Sequence, residues 1–159
     1  MFRIGIGHDT HRLVEGRPLV LGGQRIDFDR GAEGHSDGDA LCHALADAIL
    51  GALSQGDLGV FFPDNDPRWK DADSLELLSH VSEVMRARGY RVVNADSTIL
   101  LERPKLRDHI EAMRNALAGV LKVGIASISV KAKTGEGLDA VGRGEAVTVQ
   151  AVVLIQRDS

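Results

Sequence analysis

The chain has little of what several common classes of protein require. It has one cysteine, so no disulfide can form within the chain, which favours a reducing compartment. Aromatic residues make up 4% of the sequence, the net charge is −4, and no run of basic residues occurs, so no nucleic-acid surface is indicated. No apolar run approaches the roughly 18 residues that a membrane span requires. We therefore expect a cytoplasmic protein with no targeting segment and no membrane or nucleic-acid partner.

Apolar residues are plentiful enough for one hydrophobic core. They make up 43% of 159 residues, which suits a single domain over residues 1–159. Helical and strand-like patterns alternate, which predicts an α/β fold of the two-layer α+β kind, with a mixed β-sheet packed on about three helices. We expect a hairpin around Gly22-Gly23, strands at 3–7, 91–101, 128–132 and 145–155, and helices at 40–53, 73–88 and 106–121.

A metal site is indicated near the N-terminus. Asp9 and His11 are two apart at the end of an apolar strand, so their side chains project from the same face. His43 lies off the apolar stripe of the first predicted helix, which Asp39 caps. One carboxylate and two imidazoles suit zinc and leave a fourth position open for a substrate oxygen. Asp47, one helical turn beyond His43, is a candidate hydrogen-bond partner for that imidazole.

Three polar segments are candidate functional loops. Residues 34–39 and 61–67 are too rich in glycine, proline and aspartate for regular structure. Residues 133–137 combine glycines, a hydroxyl, a cation and a carboxylate at a strand end. Free backbone N–H groups there suit phosphate, and Glu136 suits a hard cation, although an ordinary turn fits the same residues.

Six blocks spread along the whole chain resemble those of one known family. The blocks are GHDTH at 7–11, HSDGD at 35–39, GDLG at 56–59 with FPDND at 62–66, ERPK at 102–105, VKAKTGEGL at 130–138 and GRGE at 142–145. Together they are similar to the 2-C-methyl-D-erythritol 2,4-cyclodiphosphate synthases of the non-mevalonate isoprenoid pathway.

The resemblance implies a set of site residues. It gives Asp9, His11 and His43 as ligands of a zinc ion, and Glu136 as the ligand of a second divalent ion, magnesium or manganese. His35 and Thr134 would be catalytic. The implied substrate-binding residues are Asp9, His11, His35, Ser36, Asp57, Leu58, Gly59, Phe62, Pro63, Asp64, Asn65, Asp66, Leu101, Glu102, Arg103, Pro104, Lys105, Leu106, Arg107, Lys133, Thr134, Gly135, Glu136 and Arg143.

The resemblance also implies a reaction and an assembly. In the family reaction, the 2-phosphate of 4-diphosphocytidyl-2-C-methyl-D-erythritol 2-phosphate attacks the β-phosphorus, expels CMP and leaves a cyclic diphosphate. Related proteins are homotrimers with active sites between subunits and a central channel that can hold an isoprenoid diphosphate. Ala140 replaces an aromatic residue that often lines that channel, and Gly135 and Gly137 replace bulkier residues in the phosphate loop, so this chain departs from some relatives there.

Two other hypotheses fit the same residues. The first is a non-catalytic, zinc-containing trimer that binds cytidine nucleotides, and it predicts binding without turnover. The second is a zinc hydrolase of nucleotide diphosphates, for which an open zinc position and acidic loops would suffice. Incorporation of solvent oxygen into the product would identify the hydrolase.

Overall fold

The structure is a computed structural model and describes residues 1–158. The strands are β1 (Phe2–Glu15), β2 (Leu19–Leu21), β3 (Gln24–Ile26), β4 (Arg30–Ala32), β5 (Tyr90–Leu100), β6 (Ile128–Lys133) and β7 (Ala146–Arg157). The α-helices are α1 (Ala40–Ala52), α2 (Leu58–Phe61), α3 (Ser74–Ala87), α4 (Ile110–Leu121) and α5 (Asp139–Gly142). Short 3-10 helices occupy Pro67–Trp69, Arg107–His109 and Ile125–Ser127.

The main sheet is mixed, as the sequence predicts. Its strand order is β4-β1-β7-β5-β6; β5 and β6 are parallel, and the other neighbouring strands are antiparallel. The long strands β1 and β7 pair along almost their whole length, from Phe2 opposite Gln156 to Arg12 opposite Ala146. Strands β2 and β3 form the hairpin expected at Gly22-Gly23. The predicted α+β architecture is therefore confirmed.

Several boundaries differ from those predicted. Strand β1 continues to Glu15, well beyond its apolar part, because β7 and β4 supply backbone partners for its polar half. The segment expected to be irregular at 61–67 begins with the last residue of the short helix α2 and ends at Pro67, the first residue of a 3-10 helix. Proline is tolerated in a first helical turn because its missing N–H would have no partner there. Helix α5 was not predicted, since its four residues carry no periodic pattern.

Helix α1 lies unusually close to β1. A Cβ atom added to Gly5 would stand 1.8 Å from the carbonyl oxygen of Ala48, and one added to Gly7 would stand 1.8 Å from that of Ala44. Only glycine at these two positions permits this approach, because any side chain would overlap the helix backbone. The close packing fixes the position of α1 over the inner face of β1.

The outer face of β1 is apolar and exposed. Phe2, Ile4 and Ile6 are 60%, 71% and 72% exposed, and Val152, which lies opposite Ile6 on β7, is 40% exposed. Glycines, the candidate metal ligands and the buried Leu13 occupy the inner face, whereas Phe2, Ile4 and Ile6 lie on the outer face. No helix within residues 1–158 combines the length and the apolarity needed to cross a membrane.

Candidate metal centre and active-site cleft

Asp9, His11 and His43 meet at one point of the structure. The Asp9 Oδ2 atom lies 2.9 Å from His11 Nε2 and 3.0 Å from His43 Nδ1, and the two nitrogens are 3.3 Å apart. The alternation of β1 puts Asp9 and His11 on the face that α1 covers, as the sequence predicts. We call these three residues the metal triad.

His43 reaches the other two residues because the start of α1 is firmly held. The buried Asp39 carboxylate caps the helix by accepting the N–H groups of Leu41 and Cys42. It also accepts those of Gly22 and Gly23, at 2.9 and 2.7 Å, which ties the β2–β3 hairpin to the helix. Burial raises the pKa of Asp39, while these N–H donors act in the opposite direction. The Asp39 cap and its bonds to Gly22 and Gly23 together direct the His43 side chain toward β1.

The donor set of the metal triad fits a divalent metal ion. One carboxylate oxygen and two imidazole nitrogens lie within 4.8 Å of one another, and no other group of three or more such ligands occurs among the described residues. Nitrogen and oxygen donors of this kind suit zinc. Burial alone would raise the Asp9 pKa, but the close contacts with the His11 and His43 imidazoles outweigh it and hold that pKa well below its usual range. The carboxylate is therefore in its metal-binding form.

His43 does not use Asp47 as its second partner, so that prediction is wrong. The Asp47 Oδ1 atom instead accepts the N–H of Leu58 at 2.7 Å, and burial raises the Asp47 pKa. The His43 Nε2 atom lies 2.8 Å from the Ser74 hydroxyl and 3.1 Å from the Ser36 hydroxyl. The rotation of His43 toward β1 turns its outer nitrogen toward α3 and the 34–39 loop, away from the next turn of α1.

The metal triad lies on the wall of a cleft of about 590 Å³. The 34–39 loop and the 62–72 segment form part of its other walls, and two hydrogen bonds join them: the Asp71 N–H donates to His35 O at 2.8 Å, and the His35 Nε2–H donates to Asp66 O at 3.2 Å. The residues lining the cleft are Asp9, His11, Gly34, His35, Ser36, His43, Asp47, Leu58, Gly59, Phe62, Pro63, Asp64, Asn65, Trp69 and Leu77.

Four of these lining residues were not predicted to bind metal or substrate: Gly34, Asp47, Trp69 and Leu77. The Trp69 ring packs edge-on against Phe62, with centroids 4.8 Å apart. Leu77 lies on the first turns of α3, and its contribution depends on a helix crossing that spacing along the chain does not reveal. Trp69 carried a usable signal, because it is the one tryptophan in the sequence and follows the acidic 64–66 segment.

Asp57 and Asp66 do not line the cleft. Asp57 caps α2 by accepting the N–H of Val60 at 3.1 Å. Asp66 forms an ion pair with Arg68 at 2.6 Å. Both carboxylates therefore fix the backbone around the cleft.

The remaining predicted site residues lie elsewhere, in two adjoining segments that we call the cationic loops, 101–107 and 133–136. The Leu101 N–H donates to Lys133 O, and Glu102 accepts the N–H of Gly135, both at 2.9 Å. The Thr134 hydroxyl donates to Glu136 at 2.8 Å, and Glu136 is not among the residues of the metal triad. The exposed cations on these loops are Arg103, Lys105, Arg107 and Lys133. Within one chain the cationic loops and the cleft are not brought together.

Arg143 also lies outside the cleft. It is exposed and forms an ion pair with Glu145 at 3.0 Å, just beyond α5. The turn before α5 is close-packed backbone, since a Cβ at Gly135 would stand 2.5 Å from the nitrogen of Gly142. The glycine at 135 that departs from the family pattern is therefore required by this packing.

Comparison with known proteins decides the family. The sequence pattern of the YgbB family matches residues 2–156. The chain belongs to this family. A YgbB-family relative from Geobacillus kaustophilus, named 2-C-methyl-D-erythritol 2,4-cyclodiphosphate synthase, is 55% identical over 157 residues, covering 99% of each chain.

Solved structures agree with the YgbB-family fold. A 2C-methyl-D-erythritol-2,4-cyclodiphosphate synthase in its CDP-bound form superposes with a TM-score of 0.90 at 44% identity, covering 97% of this chain and 100% of that one. The bifunctional IspDF of Campylobacter jejuni superposes with a TM-score of 0.95 at 39% identity. This chain spans 99% of its own length in that match but 42% of the bifunctional protein.

Proposed function

We propose that this chain converts 4-diphosphocytidyl-2-C-methyl-D-erythritol 2-phosphate to 2-C-methyl-D-erythritol 2,4-cyclodiphosphate and CMP, a step of the non-mevalonate isoprenoid pathway. The observation that carries the proposal is the metal triad on the wall of a cleft, in a chain whose full-length relatives are named for this synthase. The CDP-bound relative supports a cytidine nucleotide as part of the substrate. No observation on residues 1–158 favours the non-catalytic trimer.

The charge of the cleft explains why a phosphoryl transfer would need a metal here. Asp9, Asp47 and Asp64 line the cleft, and the carboxylates alone would repel a phosphorylated substrate. A zinc ion bound by the metal triad would supply a Lewis acid that withdraws charge from a phosphate oxygen. The identity of that metal is part of the proposal.

The cleft residues would position the reacting groups. The Ser36 hydroxyl and the His35 imidazole line the same cleft as the metal triad; the hydroxyl would donate a hydrogen bond to the 2-phosphate, and so would the His35 Nε2–H once released from Asp66 O. Asp64 and the backbone of Gly59 would accept and donate bonds to the erythritol hydroxyls. Such a transfer requires no covalent nucleophile, because holding the 2-phosphate oxygen in line with the β-phosphorus supplies much of the rate enhancement.

The cationic loops would bind the other half of the substrate. Lys105 and Lys133 would neutralise the nucleotide phosphates, and the backbone of 101–107 would recognise the cytosine. The Thr134 hydroxyl would donate to the β-phosphate as the P–O bond to CMP breaks, and Glu136 would hold the second divalent ion, magnesium or manganese.

A homotrimer would bring the cationic loops of one subunit to the cleft of the next. The exposed apolar face of Phe2, Ile4 and Ile6 supports this assembly, because a monomer rarely leaves such a strand face in water. The same face would line a central channel, with Arg143 near its end and Ala140 leaving more room than an aromatic residue for an isoprenoid diphosphate. The expected cytoplasmic location stays a prediction.

Phosphorus NMR on the purified protein tests the reaction. We expect the proposed substrate, incubated with zinc and magnesium, to give CMP and a cyclic diphosphate, and a chelator to stop the reaction. In water enriched in oxygen-18 the products should carry no solvent oxygen, because the attacking oxygen belongs to the substrate. Folded, metal-loaded protein that gives no turnover would refute the proposal, and labelled products would identify a hydrolase.

A further inference from the structure

We propose that Ser74 and Asp37 are positioning residues for the metal triad: they hold a proton on His43 Nε2 and so leave Nδ1 free to bind metal. Neither residue lines the cleft. The inference deepens the proposed function, since it concerns the same site. It rests on the contacts of three side chains from α1, the 34–39 loop and the start of α3.

The contacts of the Ser74 hydroxyl allow it only to accept a hydrogen bond from His43. The hydroxyl has a single proton, which it donates to the Asp37 carboxylate. Its oxygen lies 2.8 Å from His43 Nε2, so it can only accept there. A bond of this kind requires the proton of the neutral imidazole to reside on Nε2. The Nδ1 lone pair then points at Asp9 and His11.

Asp37 is fixed so that it can only accept. Its Oδ2 atom accepts the N–H of Ser74 at 3.0 Å, and its Oδ1 atom accepts the N–H of Asp39 at 3.0 Å. Its own N–H donates to Ala72 O at 3.1 Å. The carboxylate therefore orients the Ser74 hydroxyl and joins the 34–39 loop to α3.

Without Ser74, the competing tautomer of His43 would gain a better partner. The His43 Nδ1 atom lies 3.0 Å from the Asp9 carboxylate, so a proton on Nδ1 would make a charge-assisted hydrogen bond with it. In that arrangement, two of the three metal-binding atoms are hydrogen-bonded to each other. Metal binding would then have to break this bond and move the proton.

The two serines near His43 have different roles in this arrangement. Ser74 is fully buried, whereas Ser36 lines the cleft. The Ser36 hydroxyl lies farther from His43 Nε2, at 3.1 Å, and also accepts the N–H of Gly38 at 3.3 Å. Because Ser74 accepts the hydrogen bond from the His43 Nε2–H, the Ser36 proton is free to be donated to a substrate phosphate.

The test is the zinc affinity of the full chain, measured by competition with a chromogenic chelator in the absence of substrate. We expect Ser74→Ala to bind zinc about 10- to 100-fold more weakly than the wild type, as for other partners of metal-bound histidines. Asp37→Asn should weaken binding in the same direction, because one amide oxygen cannot replace both carboxylate oxygens. Ser36→Ala should change zinc affinity less than Ser74→Ala and lower turnover.

Ser82→Ala is the matched control. Ser82 is also fully buried in α3, but its hydroxyl accepts from Arg86 at 2.7 Å. The control should bind zinc as the wild type does. Nitrogen-15 NMR of the metal-free protein adds a signature that a purely structural role would not produce: the His43 proton should reside on Nε2 in the wild type and move to Nδ1 in Ser74→Ala.

Folded Ser74→Ala with wild-type zinc affinity and an unchanged tautomer would overturn the inference, as would a larger loss of affinity in Ser36→Ala. Because no substrate is present, the outcome is independent of the proposed reaction. A wild-type protein that binds zinc but does not form the cyclic product would refute the proposed function and leave this inference standing.

Discussion

The cleft and the cationic loops differ in how much of a site each forms within one chain. The cleft is built by β1, α1, α3 and two loops, and its ligand atoms already converge to about 3 Å. The cationic loops are held to each other by backbone and Glu102 contacts, yet their cations extend into solvent. The cleft has walls formed by several elements, whereas the cationic loops present positive charge with no facing wall among residues 1–158 of the same chain.

The charges of the two regions are complementary. Carboxylates and imidazoles line the cleft, whereas Arg103, Lys105, Arg107 and Lys133 are carried by the cationic loops. A diphosphate between the two regions would be neutralised from both sides, by a metal ion at the cleft and by lysines at the loops. One chain therefore brings the metal triad together by itself, and under the proposed homotrimer a second copy would complete the substrate site.

The largest expected effect comes from removing a ligand from the cleft. We expect His43→Ala to abolish CMP release, and saturating metal should not restore it, because two ligands do not hold zinc in the required geometry. Turnover by phosphorus NMR and zinc binding by chelator competition measure the effect. The control is His8→Ala, whose side chain is exposed on the opposite face of β1. Retained turnover in His43→Ala would contradict the assignment of the metal triad.

A mixing experiment tests whether the two regions meet across a subunit boundary. Thr134→Ala alone should lower turnover about a hundredfold, as for loss of one donor to a developing charge. When His43→Ala and Thr134→Ala chains are refolded together in equal amounts, we expect about a quarter of the wild-type turnover, because one interface in four pairs an intact cleft with intact loops. A mixture no more active than its parts would indicate that each chain forms its site alone.

The smallest expected effect comes from disturbing the packing of α1 on β1. Gly7→Ala places a methyl group against the backbone of α1 and should lower the free energy of unfolding by about 1–3 kcal/mol. It should also weaken zinc binding, because α1 carries His43. Denaturant unfolding and chelator competition measure both quantities.

Gly119→Ala is the matched control for that change. Gly119 lies on the exposed side of α4, where an added Cβ meets nothing within 4 Å. We expect this variant to raise the free energy of unfolding by about 0.5–1 kcal/mol, since alanine is the better helix former. Equal responses of the two variants would mean that the packing of Gly7 has no special cost.

Local patterns in the sequence predicted the metal triad better than the residues that hold it in place. Strand alternation placed Asp9 and His11 on one face, and helical periodicity placed His43 off the apolar stripe. Helical spacing predicts Asp47 as the partner of His43, because that residue is one turn away. The observed partner, Ser74, is 31 residues away in the chain, and no spacing rule connects the two.

The close packing of β1 and α1 could have been predicted from the spacing of small residues. Gly5 and Gly7 are two apart on a strand, and Ala44 and Ala48 are four apart on a helix, which matches the repeat of each element. The place of the cationic loops could not be found in this way. In the proposed homotrimer, their position relative to the cleft of the next subunit would depend on contacts between chains, which local periodicity does not reveal.

The edge-on contact of Trp69 with Phe62 has an optical consequence. This tryptophan is the one emitting indole of the chain, and it lies in the wall of the cleft. Its N–H is also the one buried side-chain donor or acceptor within residues 1–158 that lacks a hydrogen-bond partner. Any rearrangement of the cleft wall changes the polarity around a single fluorophore, so the unmodified protein carries its own spectroscopic probe of the site.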